Sequence, residues 1–146
     1  MIPVEIAVLH EIDDAVVEAF RRLLPQLSAS ATAVTAVELA AVIGAPGTAV
    51  LIAREPATRR IVGALTLVTF RIPTGLRAWI EDVVVDEAMR GRGLGEALTR
   101  QALEQAKALG AHAVELTSRP SREAANRLYQ RIGFVPRHTN LYRIVL

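Results

Sequence analysis

Two adjacent carboxylates, Glu81 and Asp82, lie in an apolar, valine-rich segment that leads into a glycine-bearing loop at residues 90–95. A helix is predicted directly after this loop, over residues 94–109. The first turn of a helix has amide hydrogens without intrahelical acceptors and carries the positive end of the helix dipole, so it attracts anions. Glycines at that point allow positive φ and a close approach of the backbone to a ligand. The segment therefore predicts an anion-binding site.

Three phosphate-binding patterns can be compared with this loop. A P-loop requires Lys and then Ser or Thr after its last glycine, and Glu96 and Ala97 follow Gly95 instead. A Rossmann fingerprint requires glycines at its first, third and sixth positions, and counting from Gly91 puts Glu96 at the sixth. The third pattern, Arg-x-x-Gly-x-Gly between a strand and a helix, is complete.

This third pattern resembles the Arg/Gln-x-x-Gly-x-Gly/Ala signature of the GNAT superfamily of acyl-CoA-dependent N-acyltransferases. Residues 126–134 read Asn-Arg-Leu-Tyr-Gln-Arg-Ile-Gly-Phe and resemble the family's Asn-x-Leu-Tyr-x-x-x-Gly-Phe segment. The Glu-Asp-Val-Val-Val of residues 81–85 is similar to the corresponding segment of glucosamine-6-phosphate N-acetyltransferases. The resemblance covers residues ~48–146, and the first ~45 residues agree in element order only.

The resemblance implies that acetyl-CoA is the co-substrate and indicates which residues bind it. The pyrophosphate would lie on the loop and the first helical turn, with Arg90 or Arg92 adding charge or pointing into solvent. The pantetheine arm would pair with the backbone of the preceding strand, and Asn126 would hydrogen-bond the cofactor. The strand valines equally fit a core strand, and Asn126 equally fits a surface position. The implied cofactor-binding residues are Val83, Val84, Val85, Arg90, Gly91, Arg92, Gly93, Leu94, Gly95, Glu96 and Asn126.

The resemblance also implies direct transfer of the acetyl group to a primary amine in a ternary complex. Because a free alkyl amine has a pKa of about 10, a base that removes its proton matters at neutral pH. Glu81 is favoured as this base, directly or through water, with Asp82 on the opposite strand face as the alternative. An ion pair with Arg77 or another arginine is the purely structural explanation of Glu81. Tyr129 is predicted to protonate the departing thiolate, or else to be a core aromatic, and a backbone amide of a bulge near the valines would polarise the thioester carbonyl.

The elements that position these residues follow from hydrophobic periodicity and turn signals. Their order predicts an α+β fold, GNAT-like, with a mixed, mostly antiparallel central sheet of about seven strands and helices on both faces. The whole chain, residues 1–146, is expected to be a single N-acetyltransferase domain. The predicted helices begin at Asp13 or Asp14 (ending at Pro25) and span 35–44, 94–109 and 122–131, the last capped by Ser121, and the predicted strands are 4–9, 48–54, 61–70, 78–85, 113–117, 134–137 and 142–146.

Composition limits the partners. The chain has 146 residues, 51% of them apolar, with no cysteine and a formal net charge of +2. Without cysteine there is no disulfide, thiolate nucleophile or thiolate metal ligand, and the three scattered histidines predict no metal site. The absence of a signal peptide and of an apolar run of ~20 residues predicts a cytoplasmic protein without a membrane partner. The small charge predicts no nucleic-acid partner, and a homodimer through residues 142–146 is a family expectation.

The acceptor amine is left open by the sequence. Residues 81–85 favour a small amine or an amino-sugar phosphate, and a peptide or protein amine is the alternative. A different class is a non-catalytic acyl-CoA-binding regulatory module that keeps the fold without turnover. A third hypothesis, nucleic-acid binding through the arginine-glycine loop, predicts an affinity that falls steeply with salt.

Overall fold

A computed structural model of the chain describes residues 3–146 and divides into two compact units, one ending at Leu116 and one spanning Thr117–Leu146. The first unit contains five strands, three α-helices and a short 3-10 turn, and the second contains one α-helix. The elements in chain order are β1 (Glu5–Val8), α1 (Asp14–Leu27), α2 (Ala36–Gly44), β2 (Thr48–Arg54), β3 (Ile61–Ile72), β4 (Gly75–Val85), the 3-10 turn (Glu87–Met89), α3 (Leu94–Ala108), β5 (Val114–Glu115) and α4 (Glu123–Ile132).

The strands of the first unit form one sheet in the order β1-β2-β3-β4-β5. Neighbouring strands from β1 to β4 are antiparallel, whereas β5 runs parallel to β4. The mixed, mostly antiparallel sheet of the predicted α+β fold is therefore confirmed. The predicted number of about seven strands is wrong, because the described residues contribute five.

The two missing strands are the predicted segments 134–137 and 142–146, which form neither strand nor helix. Val135 is 76% exposed and Ile144 is 84% exposed. Their β-branched residues favour extended backbone, but a strand is stable only where a neighbouring strand completes its hydrogen-bond ladder. Within the second unit, α4 is the sole regular element that the structure describes, so these segments have no partner strand in that unit.

Helices lie on both faces of the sheet. Side chains of α1 and α2 share a core with Val50 of β2 and with Ala64 and Val84 of the next two strands. Gly63 neighbours Ala64 on β3 and therefore projects to the opposite face. A Cβ at Gly63 would lie 3.1 Å from Leu98 Cδ1, so the missing side chain allows α3 to approach that face closely. This packing holds the first turn of α3 beside the end of β4.

The first helix is longer than predicted. Asp13 caps it by accepting a hydrogen bond from Val16 N–H at 2.9 Å, but the helix continues through Pro25 to Leu27 instead of ending at the proline. Proline removes one backbone donor, and near a C-terminus this costs little because the last turn can be closed in other ways. Ser28 N–H donates to the Leu24 carbonyl at 3.0 Å and so completes that turn.

The connection between β3 and β4 is shorter than predicted. The predicted strands 61–70 and 78–85 leave residues 71–77 between them, but Ile72 pairs directly with Gly75 across a two-residue turn. Pro73 fits this turn because a residue in the turn needs no backbone N–H for the hydrogen bonds between the strands. Gly75 takes a φ of 133°, which glycine adopts without a Cβ clash. The hairpin makes β4 an 11-residue strand, and this strand carries the candidate chemistry.

The second unit consists of α4 and extended chain on either side of it. The predicted Ser121 cap is wrong: Arg122 is the N-cap residue and makes no side-chain capping bond. At the other end Gly133 takes a φ of 124°, and its amide and that of Phe134 donate to the Tyr129 carbonyl at 3.2 and 2.9 Å. Gly133 therefore ends the helix, close to the predicted end at residue 131. No helix within residues 3–146 is long and apolar enough to cross a membrane.

Candidate active site

The backbone of the glycine loop is shaped for close approach by a ligand. Gly91 and Gly93 take φ angles of 78° and 84°, and Gly93 is the left-handed N-cap residue of α3 without a side-chain capping bond. The first helical bond runs from Ala97 N–H to the Gly93 carbonyl at 3.0 Å, so the amides of Leu94 and Gly95 lie ahead of the helical ladder. With the positive end of the helix dipole, this arrangement suits an anionic ligand.

The charged side chains around the loop have different surroundings. Arg90 Nε donates to the Val85 carbonyl at 3.2 Å, which fastens the start of the loop to the end of β4. Arg92 is exposed. Glu96 forms an ion pair with Arg100 one helical turn later, with Nε and Oε2 3.0 Å apart. The negative charge in the first turn is thus balanced by a neighbouring cation, and the two loop arginines leave the loop positively charged.

One edge of β4 is open beside the loop. Among the described residues, β4 pairs with β5 only at Ala78 and Trp79, and residues 80–85 have a strand neighbour on the β3 side alone. Val84 is buried in the core beneath α1, and the valines on either side of it are half-buried. The side chains of the three valines therefore pack wholly or partly into the core, while one edge of the strand backbone remains available to an extended ligand.

A β-bulge interrupts β4 at the candidate base. Thr66 pairs with Glu81 and Ala64 with Val84, so a single residue of β3 faces two residues of β4. Asp82, inside the bulge, has a φ of 49°, which is uncommon for a residue other than glycine. A bulge disrupts the local ladder and redirects side chains. The strict alternation expected for the two carboxylates is therefore broken at this point.

The carboxylate inside the bulge and the one directly before it are both solvent-accessible. The side chains of Glu81 and Asp82 are exposed, and within residues 3–146 neither makes a hydrogen bond or an ion pair. Arg77, considered above as a partner of Glu81, instead donates through Nη2 to Thr74 Oγ1 at 2.9 Å. The structure thus gives no support to a purely structural ion pair for Glu81.

Glu81 projects to the sheet face that carries α1 and α2. Directly paired residues on adjacent strands project to the same face. Glu81 pairs with Thr66, Thr66 pairs with Val50, and Val50 belongs to the core under the two helices. The strand therefore presents a carboxylate on one face and runs at its end into the anion-binding loop of α3.

Asn126 and Tyr129 belong to the second unit, whereas Glu81 and the loop belong to the first. Asn126 Nδ2 donates to the Arg119 carbonyl at 3.0 Å and so ties α4 to the chain before it. Tyr129 is buried and packs edge-on against Phe134, with ring centroids 5.8 Å apart. Burial raises the pKa of the Tyr129 hydroxyl above the usual 10.0, against the opposing charge of Arg122. The phenol is therefore held in its protonated, donor form at neutral pH.

Sequence reasoning missed one ionic cluster. Asp86, at the end of β4, is 5% exposed and forms a 2.7 Å ion pair with Arg22 of α1. Arg60 Nη2 lies 3.7 Å from the same carboxylate. The available signal was an aspartate directly after an apolar strand, a residue type suited to capping a following turn.

No group of three or more potential metal-ligating side chains occurs in the part of the chain that the structure describes.

A family model and several known proteins match much of this chain. The family model for the acetyltransferase (GNAT) family matches residues 10–134. Glucosamine 6-phosphate N-acetyltransferase 1 of Oryza sativa subsp. japonica is 35% identical over 95 residues, which make up 63% of this chain and 56% of that enzyme. The match thus spans little more than half of that relative.

Two further matches differ in kind. N-alpha-acetyltransferase 30 of Schizosaccharomyces pombe is 36% identical over 73 residues, which cover 50% of this chain and 48% of that protein. The crystal structure of an acetyltransferase from Trypanosoma brucei has a TM-score of 0.80 at 30% identity, and the alignment covers 99% of this chain and 100% of that one. The fold is thus shared over nearly the full length of both chains.

Proposed function

The chain belongs to the acetyltransferase (GNAT) family, and from this premise we propose that it transfers the acetyl group of acetyl-CoA directly to a primary amine. The observation that carries this proposal is the glycine loop at the first turn of α3, next to the open edge of β4. The family match spans residues of both compact units, which favours treating residues 1–146 as one N-acetyltransferase domain.

The loop and the strand suit different parts of coenzyme A. The amides of Leu94 and Gly95, at the positive end of the helix dipole, match a pyrophosphate, and Arg92 supplies an exposed cation nearby. The open backbone edge of β4 matches the amide groups of the pantetheine arm, which can pair as an added strand does. The residues proposed to bind the cofactor are Val83, Val84, Val85, Arg90, Gly91, Arg92, Gly93, Leu94, Gly95, Glu96 and Asn126.

Acetyl transfer requires two proton movements. The amine nitrogen attacks the thioester carbonyl, the carbon–sulfur bond breaks, and the acetyl group leaves with the nitrogen. Glu81 takes the proton of the amine, directly or through water, because it is exposed and has no competing partner among the described residues. A backbone amide released by the bulge polarises the carbonyl, and Tyr129 returns a proton to the thiolate. Because the chain has no cysteine, it cannot form an acyl-cysteine intermediate, in keeping with direct transfer in a ternary complex.

Replacing Tyr129 by Phe is expected to lower kcat by ~10²-fold, the lower end of the usual effect of a general acid. The ring contact with Phe134 survives this change, so the fold should persist. Because burial raises the pKa of Tyr129 above the usual 10.0, any decline in kcat of the unsubstituted enzyme that comes from loss of this proton should have its midpoint above pH 10.0. The measurement is kcat against pH for both proteins.

Tyr142→Phe is the matched control for this prediction. Tyr142 is the other tyrosine of the chain and is 86% exposed, so its replacement should leave kcat unchanged. Equal kcat values for Tyr129→Phe and the unsubstituted enzyme would remove Tyr129 from the mechanism.

A small amine that carries an anionic group, such as an amino-sugar phosphate, is the favoured acceptor. The similarity to the rice glucosamine 6-phosphate enzyme supports this choice. Alternate residues of a strand share a face, so Arg77, Trp79 and Glu81 project to one side of β4, about 7 Å apart in succession. An exposed guanidinium on the face of the base offers a partner to a phosphate, and Trp79 offers an apolar surface between them.

Arg77→Ala tests this acceptor class. The expected result is a KM for glucosamine 6-phosphate raised by ~10-fold, the cost of one exposed charge-assisted contact, with the KM for unphosphorylated glucosamine unchanged. Initial rates at saturating acetyl-CoA measure both constants, and Arg71→Ala, on the neighbouring strand, is the matched control. Equal effects of Arg77→Ala on the two sugars would exclude a phosphate contact at this residue.

A peptide amine is the second candidate acceptor, supported by the similarity to N-alpha-acetyltransferase 30 of Schizosaccharomyces pombe. The experiment that separates the two compares kcat/KM for glucosamine 6-phosphate with that for short peptides carrying a free amino terminus. A higher value for the sugar supports the favoured acceptor, and a higher value for the peptides supports the alternative. A non-catalytic acyl-CoA-binding module would bind coenzyme A and acetylate neither.

A further inference from the structure

Asp86 is a buried carboxylate at the junction between β4 and the glycine loop. Its Oδ2 lies 2.7 Å from Arg22 Nη1, and its Oδ1 accepts a hydrogen bond from Ala88 N–H at 3.2 Å. Its own amide donates to the Val62 carbonyl at 2.9 Å, which extends the pairing of β4 with β3 by one residue. The residue therefore ends the strand and caps the following 3-10 turn at the same time.

Helix α1 reaches this junction through two side chains. Arg22 divides its guanidinium between two acceptors: Nη1 contacts Asp86, and Nη2 donates to the Ile61 carbonyl at 2.9 Å. Gln26, one turn later, accepts a hydrogen bond from Glu87 N–H at 2.8 Å. The Arg22 Nη1 contact ends on Asp86 and the Gln26 hydrogen bond ends on Glu87, so α1 holds the chain at two consecutive positions immediately after β4.

This junction determines where the loop begins. Only the 3-10 turn Glu87–Met89 separates Asp86 from Arg90, and Arg90 returns to the Val85 carbonyl through its Nε. Burial raises the pKa of Asp86, but the hydrogen bond from Ala88 and the positive charge of Arg22 outweigh this effect and hold the pKa below the usual 3.8. The carboxylate is therefore ionised at neutral pH and its pairing with the guanidinium persists.

We propose that Asp86 is a positioning residue for coenzyme A binding: anchored by Arg22 and Gln26 of α1, it fixes the start of the glycine loop so that the amides at the head of α3 face the pyrophosphate. This inference rests on the proposed function. The residue itself acts through the loop and needs no contact with the ligand. Its loss should weaken binding of the cofactor while leaving the chemical step intact once acetyl-CoA is saturating.

The test combines calorimetric titration with coenzyme A and steady-state kinetics on Asp86→Asn. Asparagine keeps the shape and the hydrogen bond from Ala88 but removes the charge that Arg22 needs. The expected results are a Kd for coenzyme A and a KM for acetyl-CoA each raised ~10-fold, with kcat and the KM for the amine unchanged. Gln26→Met removes the acceptor for Glu87 N–H, together with the hydrogen bonds of the Gln26 amide to the Arg22 carbonyl and to Asp86. It should fold readily and raise the same Kd by ~3-fold.

Leu23→Ala is the control for a general loss of stability. Leu23 lies in the buried core of α1, is 0% exposed and has no polar side-chain atom. Its truncation therefore destabilises the helix but keeps the hydrogen bonds of Arg22 and Gln26 to residues 86 and 87. Its melting temperature should fall at least as far as that of Asp86→Asn, with the Kd unchanged. An unchanged Kd in Asp86→Asn and Gln26→Met, or an equal rise in Leu23→Ala, would overturn the positioning role. A failure of the unsubstituted protein to bind coenzyme A would overturn the proposed function itself.

Discussion

Glu81→Gln is expected to lower kcat for acetyl transfer by ~10²- to 10⁴-fold, because glutamine cannot take the proton of the attacking amine. The KM for acetyl-CoA should stay unchanged, since Glu81 precedes Val83–Val85 and the glycine loop, which are the segments proposed to bind the cofactor. The side chain is exposed and without a partner among the described residues, so the substitution should not affect folding. Initial rates against pH measure the effect, and the deficit should shrink at high pH as more of the amine is unprotonated.

Asp82→Asn is the matched control. Asp82 is the other exposed carboxylate of the bulge, and asparagine tolerates its φ of 49° well, so the backbone should be retained. A small effect for Asp82→Asn and a large one for Glu81→Gln assign the base to Glu81. The reverse result would transfer that role to Asp82, and no effect in either variant would leave the amine to lose its proton to solvent.

Gly93→Val is expected to weaken acetyl-CoA binding by at least ~100-fold, equivalent to about 2.7 kcal/mol. Gly93 is the N-cap residue of α3 with a φ of 84°, a conformation that a β-branched residue rarely adopts. The valine side chain would also stand where the pyrophosphate is proposed to meet the helical amides. Calorimetric titration with acetyl-CoA measures the loss, and a thermal melt measures the accompanying change in stability.

Gly110→Val separates backbone strain from blocked binding. Gly110 follows the other end of the same helix with a φ of 95°, and a Cβ there would meet no heavy atom within 4 Å. Its replacement carries similar strain at a position without a proposed ligand, so the melting temperature should fall while the affinity for acetyl-CoA is unchanged. Equal affinities for Gly93→Val and Gly110→Val would refute the placement of the pyrophosphate at the loop.

Local sequence signals predicted the local structure of the glycine loop and its flanking elements well. The glycines of the loop, the valine-rich strand and the helix after it are neighbours in the chain, and each has a short-range pattern of its own. Gly91 and Gly93 do adopt the positive φ that their positions suggested. The helix predicted over 35–44 is likewise present, and its start is fixed locally by a capping box of Thr35 with Glu38. Where one short segment determines its own structure, hydrophobic periodicity and turn residues are sufficient to predict that structure from the sequence.

Features that depend on distant partners were not predictable in the same way. Asp86 and Arg22 are 64 residues apart, and neither position carries a local signal for the other. The bulge at Asp82 and Val83 has no local signal of its own: only the family resemblance implied a bulge near the valines, and the register between β4 and β3 places it. The two predicted final strands had the expected composition but no partner strand in their own unit, so tertiary context overrode their local preference for extended backbone. The extension of α1 past Pro25 is local instead, because the Ser28 amide closes the last turn on the Leu24 carbonyl.

The central claim is that this chain transfers acetyl groups from acetyl-CoA to an amine, and product analysis on the purified protein tests it most directly. Acetyl-CoA is incubated with glucosamine 6-phosphate and with free-amine peptides, and acetylated product and released coenzyme A are quantified by mass spectrometry. We expect at least one acetylated amine, equal amounts of the two products, and a strong loss of both in Glu81→Gln. Tight binding of coenzyme A without any acetylated amine, and with Glu81→Gln indistinguishable from the unsubstituted protein, would contradict the claim.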